Sequence, residues 1–204
     1  SLAEAATLPC AALTAWTTLT TEAQIKAGDV VVLQGTGGVS IFALQFAKAL
    51  GAEVIITSSS DEKLRRAKDL GADHCINYKT TPAWSSVVRD ITDGRGAECI
   101  VEVGGAVTLQ ESLKCIKFGG FIGLIGVLTG VDTKLPLTYI LMQHVRLQGI
   151  TVGNRDDFEA MLRAMVLHDI HPVIDDQRFG FEELQQALMY MASAQHFGKI
   201  VLDY

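Results

Sequence analysis

The sequence predicts an α/β fold in which a parallel sheet of six strands is doubly wound, with helices on both faces and a C-terminal appendage. Three observations support this prediction. Short runs rich in Val, Ile and Leu alternate with longer amphipathic stretches along the chain. The short runs lack alternation of polar and apolar residues, which is typical of strands covered on both faces. Glycine is frequent, with 19 residues in 204 against only 4 prolines, and glycines permit the tight turns that join strands to helices.

The predicted strands and helices alternate in chain order. The strands are residues 30–34, 53–57, 74–77, 99–103, 121–126 and 147–152. The helices between them are residues 39–50, 61–70, 82–91 and 107–116. Asp61 can cap the second helix, and Gly51 and Gly71 can end the first two in the left-handed conformation. Because short connections make right-handed crossovers, we expect the strand order 3-2-1-4-5-6.

Two segments lie outside this alternation. Residues 1–24 carry a helical pattern ahead of the first strand, and residues 172–204 contain a predicted helix over 181–194 and a last strand over 199–203. The C-terminal helix places Leu184, Leu188 and Met191 on one face, so that face is expected to pack on something. We therefore predict a doubly wound domain over 1–171 and a C-terminal segment over 172–204 that would contact a further domain.

Composition and charge exclude several classes of protein. The formal net charge of −6 leaves no basic surface for a nucleic acid. The apolar run 121–128 is too short to cross a membrane, and residues 1–20 have no basic segment ahead of an apolar one, so no signal peptide is predicted. The four cysteines are scattered (Cys10, Cys75, Cys99 and Cys115), which indicates free thiols in the cytoplasm, with Cys75 and Cys99 acting as small hydrophobic residues.

The clearest local motif follows the first predicted strand, where the chain reads Gly35-Thr-Gly37-Gly-Val-Ser40 and then becomes an apolar helix. Gly35 permits a tight turn, Gly37 lets the backbone approach a diphosphate, and Ser40 is a small residue where the third glycine of the Rossmann fingerprint usually stands. The helix start offers free N–H groups to an anion. The motif predicts dinucleotide binding by Gly35, Thr36, Gly37, Gly38 and Val39; the alternative is a glycine turn that binds nothing.

The end of the second strand bears on the choice between NAD and NADP. A carboxylate there would bind the ribose 2′-hydroxyl and repel a 2′-phosphate, but the chain reads Thr-Ser58-Ser59-Ser and has no carboxylate before Asp61. Hydroxyls can donate to a phosphate, and Lys63 supplies a cation one turn later. These residues predict that NADP(H) is preferred over NAD(H), with Ser58, Ser59 and Lys63 as contacts. The alternative is a serine-rich helix start with a solvated lysine.

Several motifs follow one another in an order that resembles a known family. They lie at residues 8–16, 35–40, 58–63, 71–78, 101–105 and 119–126. Together they resemble the medium-chain dehydrogenase/reductase superfamily, and within it the quinone-oxidoreductase and zinc-type alcohol-dehydrogenase-like branch. The resemblance implies that the family's N-terminal GroES-like catalytic domain is missing from these residues, so that the catalytic residues stay unknown.

The resemblance also implies individual cofactor contacts. Thr14 corresponds to a threonine near the nicotinamide and its ribose. Lys63 and Tyr78 correspond to residues that hold the 2′-phosphate and flank the adenosine, although Tyr78 could instead be a surface aromatic residue. The residues expected to line the nicotinamide half are Val103, Gly104, Ile125, Gly126, Val127 and Leu128.

Cys10 corresponds to a ligand of the catalytic zinc in zinc alcohol dehydrogenases. Zinc needs three protein ligands, and the five histidines show no metal-binding spacing. We therefore predict no metal site within this sequence and a buried, structural Cys10, and keep a zinc-dependent alcohol dehydrogenase as an alternative. The adjacent Asp175 and Asp176 are interpreted as solvated loop residues.

The resulting functional hypothesis is an NAD(P)-dependent oxidoreductase. The parent enzyme would transfer a hydride between NADP(H) and a small molecule, namely a carbonyl, alcohol, quinone or activated alkene, and this chain alone would be inactive. A non-catalytic nucleotide-binding module is the other alternative, whereas a methyltransferase is disfavoured because Ser58 stands where an acidic residue would be needed. The apolar edge strand 147–152 is a pairing hazard unless it is covered, and the family resemblance implies that it pairs with a second copy, so we expect a homodimer.

Overall fold

The computed structural model describes residues 1–203. Its strands are β1 (Val30–Gln34), β2 (Glu53–Ser58), β3 (His74–Asn77), β4 (Ala97–Glu102), β5 (Ile116–Leu124), β6 (Arg146–Gly149), β7 (Phe179–Gly180) and β8 (Leu202–Asp203). Its α-helices are α1 (Leu2–Ala6), α2 (Leu13–Thr17), α3 (Gly38–Ala49), α4 (Asp61–Asp69), α5 (Trp84–Ile91), α6 (Thr108–Cys115), α7 (Leu137–Met142), α8 (Arg155–Leu167) and α9 (Leu184–Ala192). Two π-helical segments, Leu8–Ala12 and Thr18–Glu22, flank α2.

Six strands form one parallel sheet in the order β3-β2-β1-β4-β5-β6. This order confirms the predicted doubly wound topology. The strand order reverses between β1 and β4: β2 and β3 are added on one side of β1 and β4 to β6 on the other, and β1 and β4 are parallel with Val32 opposite Ile100. Ligands of such sheets bind at this switch point, beyond the carboxyl ends of the strands.

The apolar strands separate two hydrophobic cores. In β1, Val31 and Leu33 belong to one core and Val30 and Val32 to the other, because successive side chains of a strand point to opposite faces. The N-terminal helices, α3, α4 and α8 cover the first face, whereas α5 and α6 cover the second. Burial on both faces explains why the strands show no polar alternation.

Helix ends follow local chemistry. Ser60, rather than the expected Asp61, caps α4, because its hydroxyl accepts a hydrogen bond from Lys63 N at 3.3 Å. Gly51 and Gly71 follow α3 and α4 with φ of +80° and +102°, as predicted. Asn154 starts α8 through a reciprocal capping box.

The last two sheet strands differ from their predicted bounds. β5 begins at Ile116, directly after α6, and its pairing with β4 shifts register between Ala97 and Cys99. The prediction that this strand starts at 121 is therefore wrong, because pairing of Ile116 with Ala97 extends it towards its start. β6 ends at Gly149, so the predicted strand 147–152 is too long. One side of β6 pairs with β5, and the other pairs with no strand of residues 1–203.

The C-terminal segment packs beside the sheet. A 3₁₀ turn, Phe181–Glu183, precedes α9, so the helix predicted over 181–194 is shorter than expected. The predicted strand 199–203 reduces to the short pair of β7 with β8 and a bridge between Ile174 and Lys199. The apolar face of α9 is about half exposed at Leu184, Leu188 and Met191.

Two cysteine predictions and one aspartate prediction are wrong. Cys10 is exposed because its neighbours Ala11 and Ala12 occupy the inward face of the π-helical segment, and Cys75 is exposed on the edge strand β3. Burial raises the pKa of the Cys99 thiol to about 12. Asp175 is buried, not solvated, and accepts a hydrogen bond from Phe197 N at 2.7 Å.

Within residues 1–203, no helix has both the length and the apolar character that crossing a membrane requires.

Candidate functional site at the carboxyl ends of the strands

The glycine turn between β1 and α3 lies at the switch point of the sheet. Gly35 adopts φ +72°, a conformation that favours glycine, and its N–H donates to Thr57 O at 2.8 Å. Gly37 is extended and precedes the first residue of α3. Ser40 is buried, and its hydroxyl donates to Gln34 O at 2.6 Å. In the place of a third glycine, this serine ties the helix to the end of β1.

The start of α3 can hold an anion. The first hydrogen bond of the helix runs from Ile41 N to Gly37 O at 3.0 Å, so the N–H groups ahead of Ile41 have no acceptor within the helix. No side chain caps this end. The unpaired N–H groups and the positive end of the helix dipole together favour a phosphate.

A crevice with two adjoining chambers opens over the glycine turn. The phosphate chamber, of about 320 Å³, follows the turn itself, and the apolar chamber, of about 390 Å³, extends towards α5 and α6. The residues that line both chambers come from the end of β1 and from the loops after β1, β3, β4 and β5: Gln34, Gly35, Tyr78, Val103 and Leu128. Their sizes suit small-molecule ligands.

Most of the predicted site residues meet in this crevice. Those that line the phosphate chamber are Gly35, Thr36, Gly37, Gly38, Val39, Ser58, Ser59, Lys63, Tyr78, Val103 and Leu128. Gly104 lines the apolar chamber. Thr14, Ile125, Gly126 and Val127 line neither chamber.

Two of the residues outside the chambers make contacts between neighbouring segments. The Thr14 hydroxyl donates to Cys10 O at 2.8 Å and to Thr151 O at 3.3 Å, which joins the N-terminal helices to the segment after β6. A Cβ atom on Gly126 would lie 2.2 Å from Val103 O. The glycine is therefore needed for the close approach of the loops after β4 and β5.

Glu102 is a residue that the sequence reasoning missed. It is fully buried at the end of β4, and its Oε1 accepts hydrogen bonds from Gly104 N and Gly105 N, both at 3.0 Å, and from the Thr108 hydroxyl. Its Oε2 accepts a hydrogen bond from Gln34 Nε2 at 2.6 Å. The carboxylate thus joins the ends of β1 and β4, and an acidic residue within an apolar strand was the available signal.

The end of β2 provides polar groups without negative charge. Ser58 is buried, and Lys63 Nζ donates to Ala194 O at 2.6 Å. Burial lowers the pKa of Lys63, with Arg66 acting in the same direction and Asp175 opposing it. No carboxylate of residues 1–203 lines the phosphate chamber.

The loop after α9 forms the remaining wall of the phosphate chamber through Ala194 and His196, which the sequence reasoning also missed. Gly198 N donates to Thr36 O at 3.0 Å, and Gly198 bridges Gly37. Phe197 is buried beneath the Arg66 guanidinium, 4.3 Å from the ring centre. These contacts join residues that lie between 131 and 162 positions apart in the sequence, so no local pattern could reveal them.

Comparison with known proteins identifies the family. A family model described as zinc-binding dehydrogenase matches residues 38–166, from the first residue of α3 to the last turn of α8. The chain belongs to the zinc-binding dehydrogenase family. This confirms the resemblance inferred from the motifs.

Several relatives match most or nearly all of this chain. A zinc-type alcohol dehydrogenase-like protein of Schizosaccharomyces pombe is 48% identical over 99% of this chain and 60% of its own. A 2-haloacrylate reductase of a Burkholderia species is 32% identical over 88% of this chain and 56% of its own. The chain thus spans about 60% of the length of the first of these relatives.

Solved structures show the same architecture. A putative alcohol dehydrogenase of Sinorhizobium meliloti 1021 has a TM-score of 0.92 at 46% identity, covering 99% of this chain and 58% of that one. An NAD-dependent alcohol dehydrogenase has a TM-score of 0.93 at 34% identity, covering 100% and 59%. A mycobacterial protein solved with NADPH has a TM-score of 0.88 at 26% identity, covering 99% and 66%.

The family's name raises the question of metal binding. Within residues 1–203, no three side chains of His, Cys, Asp or Glu lie close enough together to hold a metal ion. Cys10 is an exposed cysteine without such partners. The described residues therefore do not fit a catalytic zinc, which takes three protein ligands.

Proposed function

We propose that this chain is the cofactor-binding part of an oxidoreductase that transfers a hydride between NADP(H) and a carbonyl, alcohol, quinone or activated alkene. One observation carries the proposal: the uncapped start of α3 opens into a crevice at the switch point of the sheet. Dinucleotides bind such sheets across this point, with the diphosphate at the helix start. The relatives named as dehydrogenases and reductases support the reaction class.

The two chambers suggest how a dinucleotide would lie. The diphosphate would accept hydrogen bonds from the N–H groups at Gly38 and Val39. The apolar chamber, which Tyr78, Pro82 and Val107 help to line, offers a surface for the adenine ring. The nicotinamide would extend past Val103, where the loops after β4 and β5 meet.

The preference for NADP(H) over NAD(H) is part of the proposal. The side chains of Ser58, Ser59 and Lys63 line the phosphate chamber at the end of β2. A phosphate bound there would gain charge-assisted hydrogen bonds. The carbonyl of Ala194, which Lys63 now contacts, would be exchanged for the 2′-phosphate. Among the structural relatives, one is named for NADPH and another for NAD.

Fluorescence titration tests both parts of the proposal. Wild-type chain should bind NADPH more tightly than NADH, and Lys63→Ala should weaken NADPH by about tenfold without changing NADH. Lys68→Ala, on the same helix but outside both chambers, is the matched control. Equal affinities for the two cofactors would refute the preference, and binding of neither would refute the function.

The bound nicotinamide would supply the hydride, and this chain would bind and orient the cofactor. Glu102 and Gln34 would hold the loop after β4 in place beside the nicotinamide. We expect no turnover from the chain alone. The full-length protein, assayed with quinones, enals and alcohols, should oxidise NADPH with at least one class.

We also propose a homodimer through the free edge of β6, since an unpaired strand edge is a template for a second copy. Sedimentation at micromolar concentration should give twice the chain mass, and a monomer would refute this arrangement.

A further inference from the structure

The imidazole of His196 faces the phosphate chamber from the loop after α9. Phe197 and Gly198, the next two residues, are buried and held by hydrogen bonds to Asp175 and Thr36. The backbone that carries His196 is therefore anchored to the glycine turn. A methyl group built on Gly37 would lie 3.9 Å from His196 Nε2, so this ring nitrogen stands beside the turn with room between them.

Neither ring nitrogen of His196 forms a hydrogen bond with any of residues 1–203. Nδ1 is buried, and no residue of the described chain hydrogen-bonds to it. Nε2 faces the crevice, and the neighbouring Tyr190 ring lies edge-on, 6.4 Å away between ring centres. Buried polar atoms in folded proteins nearly always have a partner, so the unpaired Nδ1 bears on which of the two ring nitrogens carries the proton.

The surroundings of His196 favour the neutral form of its imidazole ring. Burial lowers the pKa of His196, and the nearby Lys63 and Lys199 lower it further while Asp175 opposes them. A neutral imidazole has one N–H and one acceptor nitrogen. Because an unpaired buried N–H is rarer than an unpaired acceptor, the proton belongs on Nε2. The ring then presents a donor to the crevice.

We propose that His196 is a cofactor-binding residue whose Nε2–H donates a hydrogen bond to the diphosphate of the bound dinucleotide. The diphosphate is the part of the ligand nearest the ring, because Nε2 stands beside Gly37 at the start of α3. This inference rests on the proposed function and adds a side-chain donor to the N–H groups at the start of α3. His196 would therefore contribute to the binding of NADH and NADPH alike.

Two variants test this role by titration with NADPH, NADH and ADP-ribose. His196→Leu removes the donor, and His196→Gln keeps an N–H near the position of Nε2. His196→Leu should weaken all three ligands by the same factor, about tenfold or more, since each contains the diphosphate. His196→Gln should recover most of that loss. Lys63→Ala is the contrasting variant, because it should weaken NADPH alone.

Other outcomes of these titrations would refute either the contact with the diphosphate or the proposed function. If wild-type chain binds NADPH and His196→Leu binds ADP-ribose equally well, the contact with the diphosphate is refuted while the proposed function stands. A loss confined to NADPH would also refute it, by placing the ring at the 2′-phosphate. Failure of the wild type to bind any of the three ligands would refute the proposed function itself.

Nitrogen NMR of the wild-type chain gives a test that needs no variant. In the free chain, the His196 ring should show the neutral form protonated on Nε2, and saturation with ADP-ribose should shift the Nε2 resonance. An unshifted Nε2 resonance in the saturated chain would overturn the proposal, whether or not His196→Leu folds.

Discussion

Replacement of Glu102 tests how the crevice is held open at the switch point. Its carboxylate is fully buried and accepts hydrogen bonds from Gly104 N, Gly105 N and Gln34 Nε2, among others. Glu102→Ala leaves several of these donors buried without an acceptor, and each buried donor left unsatisfied costs about 1–3 kcal/mol. Glu102→Gln keeps the volume but turns one acceptor into a donor that faces other donors, which costs about 1–3 kcal/mol.

Urea unfolding followed by circular dichroism measures both free energies of unfolding. We expect an unchanged m-value and the order wild type, Glu102→Gln, Glu102→Ala from most to least stable. Glu159→Ala is the control, because Glu159 belongs to an exposed pair with Arg155 and its removal should cost less than about 1 kcal/mol. A loss below about 1 kcal/mol for Glu102→Ala would refute the structural role of the network.

Two further predictions concern packing and pH. Gly126→Ala should destabilise the chain by about 1–3 kcal/mol, because the new Cβ would lie 2.2 Å from Val103 O. Gly149→Ala is the control, since its Cβ meets no atom within 4 Å and the urea midpoint should stay unchanged. Equal effects of the two variants would contradict the close approach of the loops. Burial would raise the pKa of Asp73, but hydrogen bonds from Lys48 and from Val54 N–H outweigh it and lower the pKa. The stability due to this lowered pKa is present above the unfolded-state pKa of about 4 and is lost as the pH falls through the folded-state value. Asp73→Asn should therefore reduce the fall in the free energy of unfolding at acid pH. The same fall in both proteins would contradict this.

The central sheet could be predicted from the sequence because its strands are defined locally. β1 and β3 have the predicted bounds, and the strand order follows from the handedness of short crossovers. The glycine turn could also be predicted from the sequence, because its motif consists of consecutive residues between a strand and a helix. The prediction from the sequence matches the structure where the conformation of a segment depends on its own residues.

The differences arise where distant segments decide the outcome. β5 starts early because pairing with β4 extends it through a register shift. Asp175 is buried because it accepts Phe197 N, a contact between two loops of the C-terminal segment. His196 reaches the glycine turn only after that segment folds onto Thr36. No period or motif within a short stretch carries this information.

The most direct test of the account is a crystal structure of the chain grown with NADPH. We expect the diphosphate within hydrogen-bond distance of the N–H groups at Gly38 and Val39, and the adenine in the chamber beside Tyr78. A saturated crystal in which the ligand lies elsewhere, or in which side chains fill the crevice over the glycine turn, would contradict the account.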